Sequence, residues 1–387
     1  MARLKHVLVI PLPAQGQVTP LLKLSHCIAD YGVKVTFVYT ESIHAKVMAA
    51  NPGLEEGSDR ITFVAIPDGL ETDEERKDFP KVLESMSRVM PGHLQELIEK
   101  VKEQSNGNED EQISFMIVDL TTGWALEVAE RMGIGRAGFW AASVLNLALI
   151  VHIPKLIEGG VIDNNGIALN NDLITISKDL PSGSLWDEDS TCSNWLDQHP
   201  SQSVIYLAFG SSTVFSPEQF SELAHALKQI ARPFLWVVRP ALTRGPVTEF
   251  HEGFLQRVRN YGKVARWASQ EEVLAHPSVA CFFTHCGWNS TLEGLSNGVP
   301  LLCWPHFGDQ FLNRSYICDV WRVGLGVDGD ENGFITRHEV RDKVLAVLGS
   351  GEIRANCLRM KEMAGKSVSE GGSSLKNLQS FIELMKA

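Results

Sequence analysis

No apolar run among the 387 residues reaches the ~18 needed to cross a bilayer, so a membrane-spanning helix is excluded. A signal peptide is not expected either. The opening "MARLKHVLVIPLPAQG" starts with cations, but Pro11 and Pro13 break its apolar stretch, and it reads as a first strand. The seven cysteines (27, 192, 281, 286, 303, 318 and 357) form no C-x-x-C pair, and six sit in apolar or amphipathic contexts suited to buried thiols. A reducing, cytoplasmic setting is therefore expected. No basic stripe is present, and a formal net charge of −12 argues against nucleic acid as a partner. No G-x-G-x-x-G follows a strand with an acidic residue about 20 positions on, which argues against a dinucleotide oxidoreductase. Internal repeats and a carboxylate cluster of the divalent-cation type are also missing, so no metal is expected. With 44% hydrophobic and 21% charged residues, the composition is that of a soluble globular protein; a monomer is expected, with a small molecule as its partner.

What is present is an alternation of strands and helices. Apolar, β-branched runs, "HVLVI", "VTFVY", "ITFVAI" and "FMIVDL", then "SVIYLAF", "PFLWVV", "ACFFTH" and "PLLCW", recur between helical patterns. This is the sequence form of parallel sheets covered by helices on both faces, an α/β class. The pattern occurs twice, over roughly 4–155 and 203–327. Because single cores stop growing near roughly 250 to 300 residues, two domains with a cleft between them are expected. The Pro/Gly/Ser-rich "SKDLPSGSLWDEDSTCSNW" marks the boundary. The division expected is a first domain over 1–180, a linker over 181–202, a second domain over 203–365 and a terminal helix over 366–387. Within the last part, "TRHE" at 336–339 has the form of a capping box.

The most informative stretch is "WASQEEVLAHPSVACFFTHCGWNSTLEGLSNGVPLLCWPHFGDQ", residues 267 to 310. A buried strand, "ACFFT", runs into a tight turn at Gly287 and then a helix, so free N–H groups and a positive dipole end are offered to an anion. A diphosphate is the natural guest. His285 stands where it can donate to a phosphate oxygen, Asn289 and Ser290 where donors converge, and Glu293 where a carboxylate can accept from a ribose diol. Other readings stay open at this point. "STLE" is also a capping box, Asp309 is also a helix N-cap, and Trp267 is also a core aromatic.

Taken together and in order, these residues resemble the signature box of plant family 1 UDP-dependent glycosyltransferases, and the resemblance extends through "DQFLNRSYICDVWRVGLGV" and along most of the chain. It implies the GT-B fold, two facing Rossmann-like domains with a C-terminal helix, "SLKNLQSFIELMKA", crossing back to the first. It further implies that Trp267 stacks on uracil with Ala268 beside it, that Gln270 and Glu293 hold the ribose, and that His285, Gly287, Asn289 and Ser290 hold the diphosphate. Trp288, Asp309 and Gln310 then sit by the sugar, the glutamine pointing to glucose. Ser211 and Thr213 of the "FGSST" turn add donors near the phosphates. UDP-glucose is thus a donor substrate, and no cofactor is implied.

In that family a histidine after the first strand deprotonates the acceptor, and an aspartate after a later strand orients it. Asp119, ending the strand in "FMIVDLTTGW", matches the aspartate, although a helix N-cap is its other reading. The histidine position in "PAQGQ" is Gln17. An amide hydrogen-bonds a hydroxyl but cannot take its proton, and losing a positioned base costs ~10²- to 10⁴-fold. Two functions are therefore expected to compete. One is glucose transfer to a small, partly apolar hydroxyl or carboxyl acceptor, weakened by Gln17. The other is UDP-sugar binding with little turnover, in an inactive homologue or an engineered trap. Phe139 and Trp140 are candidate acceptor lining as well as core. Family members also carry several tens of residues between the regions matching "NDLITISKDLP" and "SLWDEDST" that are missing here.

Overall fold

The structure is a computed structural model and describes residues 6–44, 61–144, 146–148, 150–151, 191–210, 213–239, 242, 258 and 260–386. Its contacts divide it into two units, one mainly Met1–Ala141 with Ser373–Ala387, the other mainly Asp187–Gly372. Among the described residues no helix is long and apolar enough to cross a membrane.

The first unit holds β1 (His6–Ile10), β2 (Lys34–Thr40), β3 (Ile61–Ile66), β4 (Ile113–Asp119) and β5 (Gly135–Phe139). All pair in parallel, in the order β3-β2-β1-β4-β5. Successive side chains of a strand point to opposite faces, and β1 shows why its sequence is apolar throughout. Val7 and Val9 enter one core, with Val18, Leu21 and Ile28 of the helix Gln15–Asp30. Leu8 and Ile10 enter the other, with Met86, Met90 and Leu94 of the helix Phe79–Gln104. The terminal helix Ser373–Lys386 covers the first face, burying Ile382 and Met385 and setting Phe381 edge-on to Phe115 at 6.1 Å.

The second unit holds β6 (Val204–Ala208), β7 (Phe234–Val237), β8 (Gly262–Ala265), β9 (Val279–Thr284), β10 (Leu301–Cys303) and β11 (Gly324–Gly326). Its order is β11-β10-β9-β6-β7-β8, again parallel.

Several sequence expectations change. The terminal helix does not begin at 366, which lies inside the helix Gly351–Val368. The last twelve residues of the expected linker are not a free connector, since Cys192 and Leu196 of the helix Thr191–Leu196 join the second unit's core. Residues 178–185, where the missing segment was placed, lie outside the described residues. G-x-G-x-x-G is spelled at 133–138 and at 324–329, but Gly135 and Gly138 lie within β5 and Gly324 and Gly326 within β11, so neither motif forms a strand-to-helix turn. Thr336 does accept from Glu339 N at 3.2 Å, while the Glu339 carboxylate accepts from Asp328 N instead of closing the box.

Candidate functional site

In open parallel sheets, ligands sit beyond the carboxyl ends of the strands where the strand order reverses. The first sheet reverses between β1 and β4, the second between β6 and β9. Each pair of strand ends carries the residues singled out from the sequence.

At the second reversal, β9 ends at Thr284 and the chain passes His285, Cys286 and Gly287 into the helix Trp288–Asn297. Cys286 adopts φ +64°, a left-handed conformation costly for a side-chain-bearing residue. Its N–H donates to Thr284 Oγ1 and its carbonyl accepts from the buried Asn313 Nδ2 at 2.9 Å. The His285 ring lies between two glycines. A methyl group at Gly210, which has φ +67°, would stand 2.4 Å from His285 Nε2, and one at Gly287 would stand 2.5 Å away. Burial pulls the His285 pKa down to about 4, helped by His306 and Arg239 nearby and opposed by a hydrogen bond to the Ala208 backbone, so the ring is neutral at pH 7, with Nδ1 left without a partner. His306 is likewise lowered to about 4 by burial, amid Phe209, Phe215 and Trp304.

Gly287 is the helix N-cap and no side chain caps the helix, so Ser290 and Glu293 do not form a capping box. Both instead accept from one donor: Gln270 Nε2 lies 2.8 Å from Ser290 Oγ and 2.6 Å from Glu293 Oε2. Tyr206 OH approaches Gln270 Oε1 at 3.5 Å. Two residues expected to hold the ribose and one expected to hold the diphosphate are thus a single hydrogen-bonded unit. Trp267 is half-buried and is not among the residues of the apolar cluster on which Trp288 packs. Ala268 is buried and Asn289 half-buried.

Asp309 stands at the N-cap of the helix Gln310–Ser315 but does not cap it, accepting instead from Asn313 Nδ2 at 3.0 Å. Burial raises its pKa, and the Asn313 bond opposes this. Gln310 Oε1 accepts from His306 N at 2.8 Å and Phe307 N at 3.2 Å, so its Nε2 is the part of the amide not used in these bonds. Thr213 is buried with Oγ1 unpartnered, while Ser211 lies outside the described residues. Two participants were not found from the sequence. Asn313 ties Cys286 to Asp309, and Arg239 donates from Nε to Gly210 O at 2.9 Å and from Nη2 to Thr213 O. A lone arginine after "FLWVV" and an asparagine inside a helix carry no spacing signal.

At the first reversal, Ile10 of β1 pairs with Val118 of β4, one residue before Asp119. Both readings of Asp119 hold, one for each oxygen. Oδ1 caps a short 3-10 turn, accepting from Thr121 N at 2.9 Å and Thr121 Oγ1 at 2.5 Å, while Oδ2 is buried without a partner. Burial raises its pKa, opposed by the Thr121 bonds and by the Leu12 backbone N–H near the carboxylate. Gln17 sits in the first turn of the helix that follows β1, and its Oε1 is also buried without a partner. No hydrogen bond joins the two side chains. Phe139 packs on the first core, and Trp140 is half-buried at the end of β5.

The family model described as "UDP-glucoronosyl and UDP-glucosyl transferase" matches residues 188–363. The chain is 35% identical to UDP-glycosyltransferase 83A1 of Arabidopsis thaliana, over 99% of this chain and 97% of that protein. That alignment spans 462 positions against 387 residues here, so at least 75 positions of the relative have no counterpart. The fold matches Os79 from O. sativa in complex with UDP, with a TM-score of 0.81, 24% identity and coverage of 98% of this chain and 100% of that one. It also matches Medicago truncatula UGT71G1 complexed with UDP-glucose, with a TM-score of 0.80, 21% identity and coverage of 100% and 99%. With two Rossmann-like units, a strand-turn-helix box at the second reversal and a relative this similar along its whole length, the chain belongs to the plant family 1 UDP-glycosyltransferases.

Proposed function

We propose that this chain transfers glucose from UDP-glucose to a small, partly apolar metabolite with inversion, and that it does so slowly for neutral hydroxyl acceptors. The donor half of the reading is supported by the linked Gln270, Ser290 and Glu293, whose polar groups suit a ribose, and by the uncapped helix start beside a neutral His285, which suits a diphosphate. In-line attack at the anomeric carbon expels UDP, whose developing charge meets these N–H groups. The reading includes no metal and a single chain as the working unit.

The observation that carries the acceptor half is the pair of orphaned oxygens at the first reversal, Gln17 Oε1 and Asp119 Oδ2. Both are acceptors, so neither satisfies the other and both suit an incoming O–H. Neither is a base of the strength a hydroxyl needs. A carboxylic acid acceptor, ionised above a pKa of about 4, needs no base; having no O–H, it meets Gln17 through the Nε2 donor and not through these oxygens.

UDP release from UDP-glucose with phenolic, alcohol and carboxylic acceptors, run on this chain and on Gln17→His, tests the reading. The expected outcome is turnover with the carboxylic acids in both proteins and a gain of ~10² or more with the hydroxyl acceptors in the variant. UDP-glucose binding without turnover in either protein would replace transfer with donor binding alone, the second reading that Gln17 favours. Equal activity toward hydroxyls in both would sink the missing-base argument.

A further inference from the structure

The second reversal contains a charge that the donor reading has not used. Arg239 follows β7 and is half-buried, and among the described residues no carboxylate pairs with it. Burial lowers its pKa without bringing a guanidinium near neutrality, so it stays cationic. A cation taken partly out of water without a counter-charge is costly, and such a charge is retained where an anion completes it. Its two hydrogen bonds place it. Nε donates to Gly210 O and Nη2 to Thr213 O, the two described ends of the turn after β6. Gly210 is the residue pressed against the His285 ring, and the charge of Arg239 is felt at that ring. Its Nη1 makes no hydrogen bond among the described residues. His285 and His306 are both neutral at pH 7, so the N–H groups of the helix start are joined by no full positive charge from either histidine.

We propose that Arg239 is a positioning residue of the donor site, holding Gly210 against His285 and supplying the fixed positive charge beside the diphosphate of a UDP-sugar. This rests on the donor reading above. It separates two parts of the ligand. The nucleoside lies with Trp267, Gln270 and Glu293 and does not need Arg239, whereas the diphosphate does.

The test is calorimetric binding of UDP, UDP-glucose and uridine to the full chain and to Arg239→Gln and Arg239→Lys. In Arg239→Gln, UDP and UDP-glucose are expected to weaken about 10- to 100-fold while uridine stays within about twofold, the range of one or two charge-assisted hydrogen bonds. Arg239→Lys should recover part of the loss, because it restores charge but not the two-pronged hold on the carbonyls. The salt dependence of UDP binding should fall in Arg239→Gln and not in Arg239→Lys. A merely structural role would weaken uridine as much as UDP, and that result overturns the proposal. So does unchanged UDP binding in Arg239→Gln. Should that variant not fold, the comparison of UDP with uridine in Arg239→Lys decides in the same way. If the unaltered chain binds neither UDP nor UDP-glucose, the donor reading falls first and this proposal falls with it.

Discussion

The two strand-order reversals share a topology and differ in how complete they are. At the second, the side chains are wired to one another: Gln270 with Ser290 and Glu293, Asn313 with Cys286 and Asp309, and Gln310 with the 306–307 backbone, with His285 fixed between two glycines, while Thr213 Oγ1, His285 Nδ1 and His306 Nε2 are left unpartnered. At the first, Gln17 Oε1 and Asp119 Oδ2 are buried with nothing to accept from. Buried polar atoms without partners cost free energy and are kept at both reversals, but only the second adds a network of side chains that orient one another; Gln17 and Asp119 do not. The chemistry follows the same division. Donor binding needs only that network, whereas transfer to a hydroxyl needs a base that position 17 does not provide.

The comparison breaks most sharply if the first reversal is completed. Gln17→His should raise kcat for hydroxyl acceptors by ~10²- to 10⁴-fold with little change in UDP binding, measured by UDP release and calorimetry. Asp119 should then matter only in company. In the Gln17 chain Asp119→Asn is expected to change transfer by less than about fivefold, and in the Gln17→His chain to cost about 10²-fold, so a double-mutant cycle on kcat should show strong coupling. Damage to the second reversal should act on binding instead. Gly210→Ala forces a left-handed alanine, at ~1–2 kcal/mol, and drives a methyl into His285, so UDP is expected to weaken about 10- to 100-fold with the chain still folded. The smallest effect is on stability. His285 and His306 have pKa values of about 4 in the fold against 6.5 unfolded. The unfolded chain therefore binds more protons between those values, so their contribution is complete above pH 6.5 and is lost as pH falls toward 4. Melting temperature should drop across that window, and less steeply in His306→Phe.

The sequence displayed the strands buried on both faces and hid three of the four at the sheet edges, β3 being the edge strand it showed. "HVLVI" and "VACFFT" are continuous apolar runs because each face of β1 and β9 meets a helix-covered core. The unnoticed strands, β5 "GRAGF", β8 "GKVA" and β11 "GLG", all lie at sheet edges, where one flank lacks a partner and glycine replaces side chains. At the site, the box from Trp267 to Gln310 was legible because its spacing is dictated by a strand, a turn and a helix start. Its internal wiring was not. "STLE" looks like a cap until the structure sets Gly287 at the N-cap and turns Ser290 and Glu293 toward Gln270. Arg239 stayed hidden because its role lies in main-chain carbonyls 26 and 29 residues away, which leave no mark on composition or period.

Gln310 carries a last consequence. An amide usually speaks to both halves of a hydroxyl, as donor and as acceptor, but the oxygen of this one is already claimed by two peptide N–H groups. Any guest against it meets N–H alone, and so is read by its lone pairs and not by its hydrogens. A ring substituent that keeps an oxygen but has its hydrogen capped by a methyl group, such as an ether, satisfies that polarity, whereas an ammonium group opposes it.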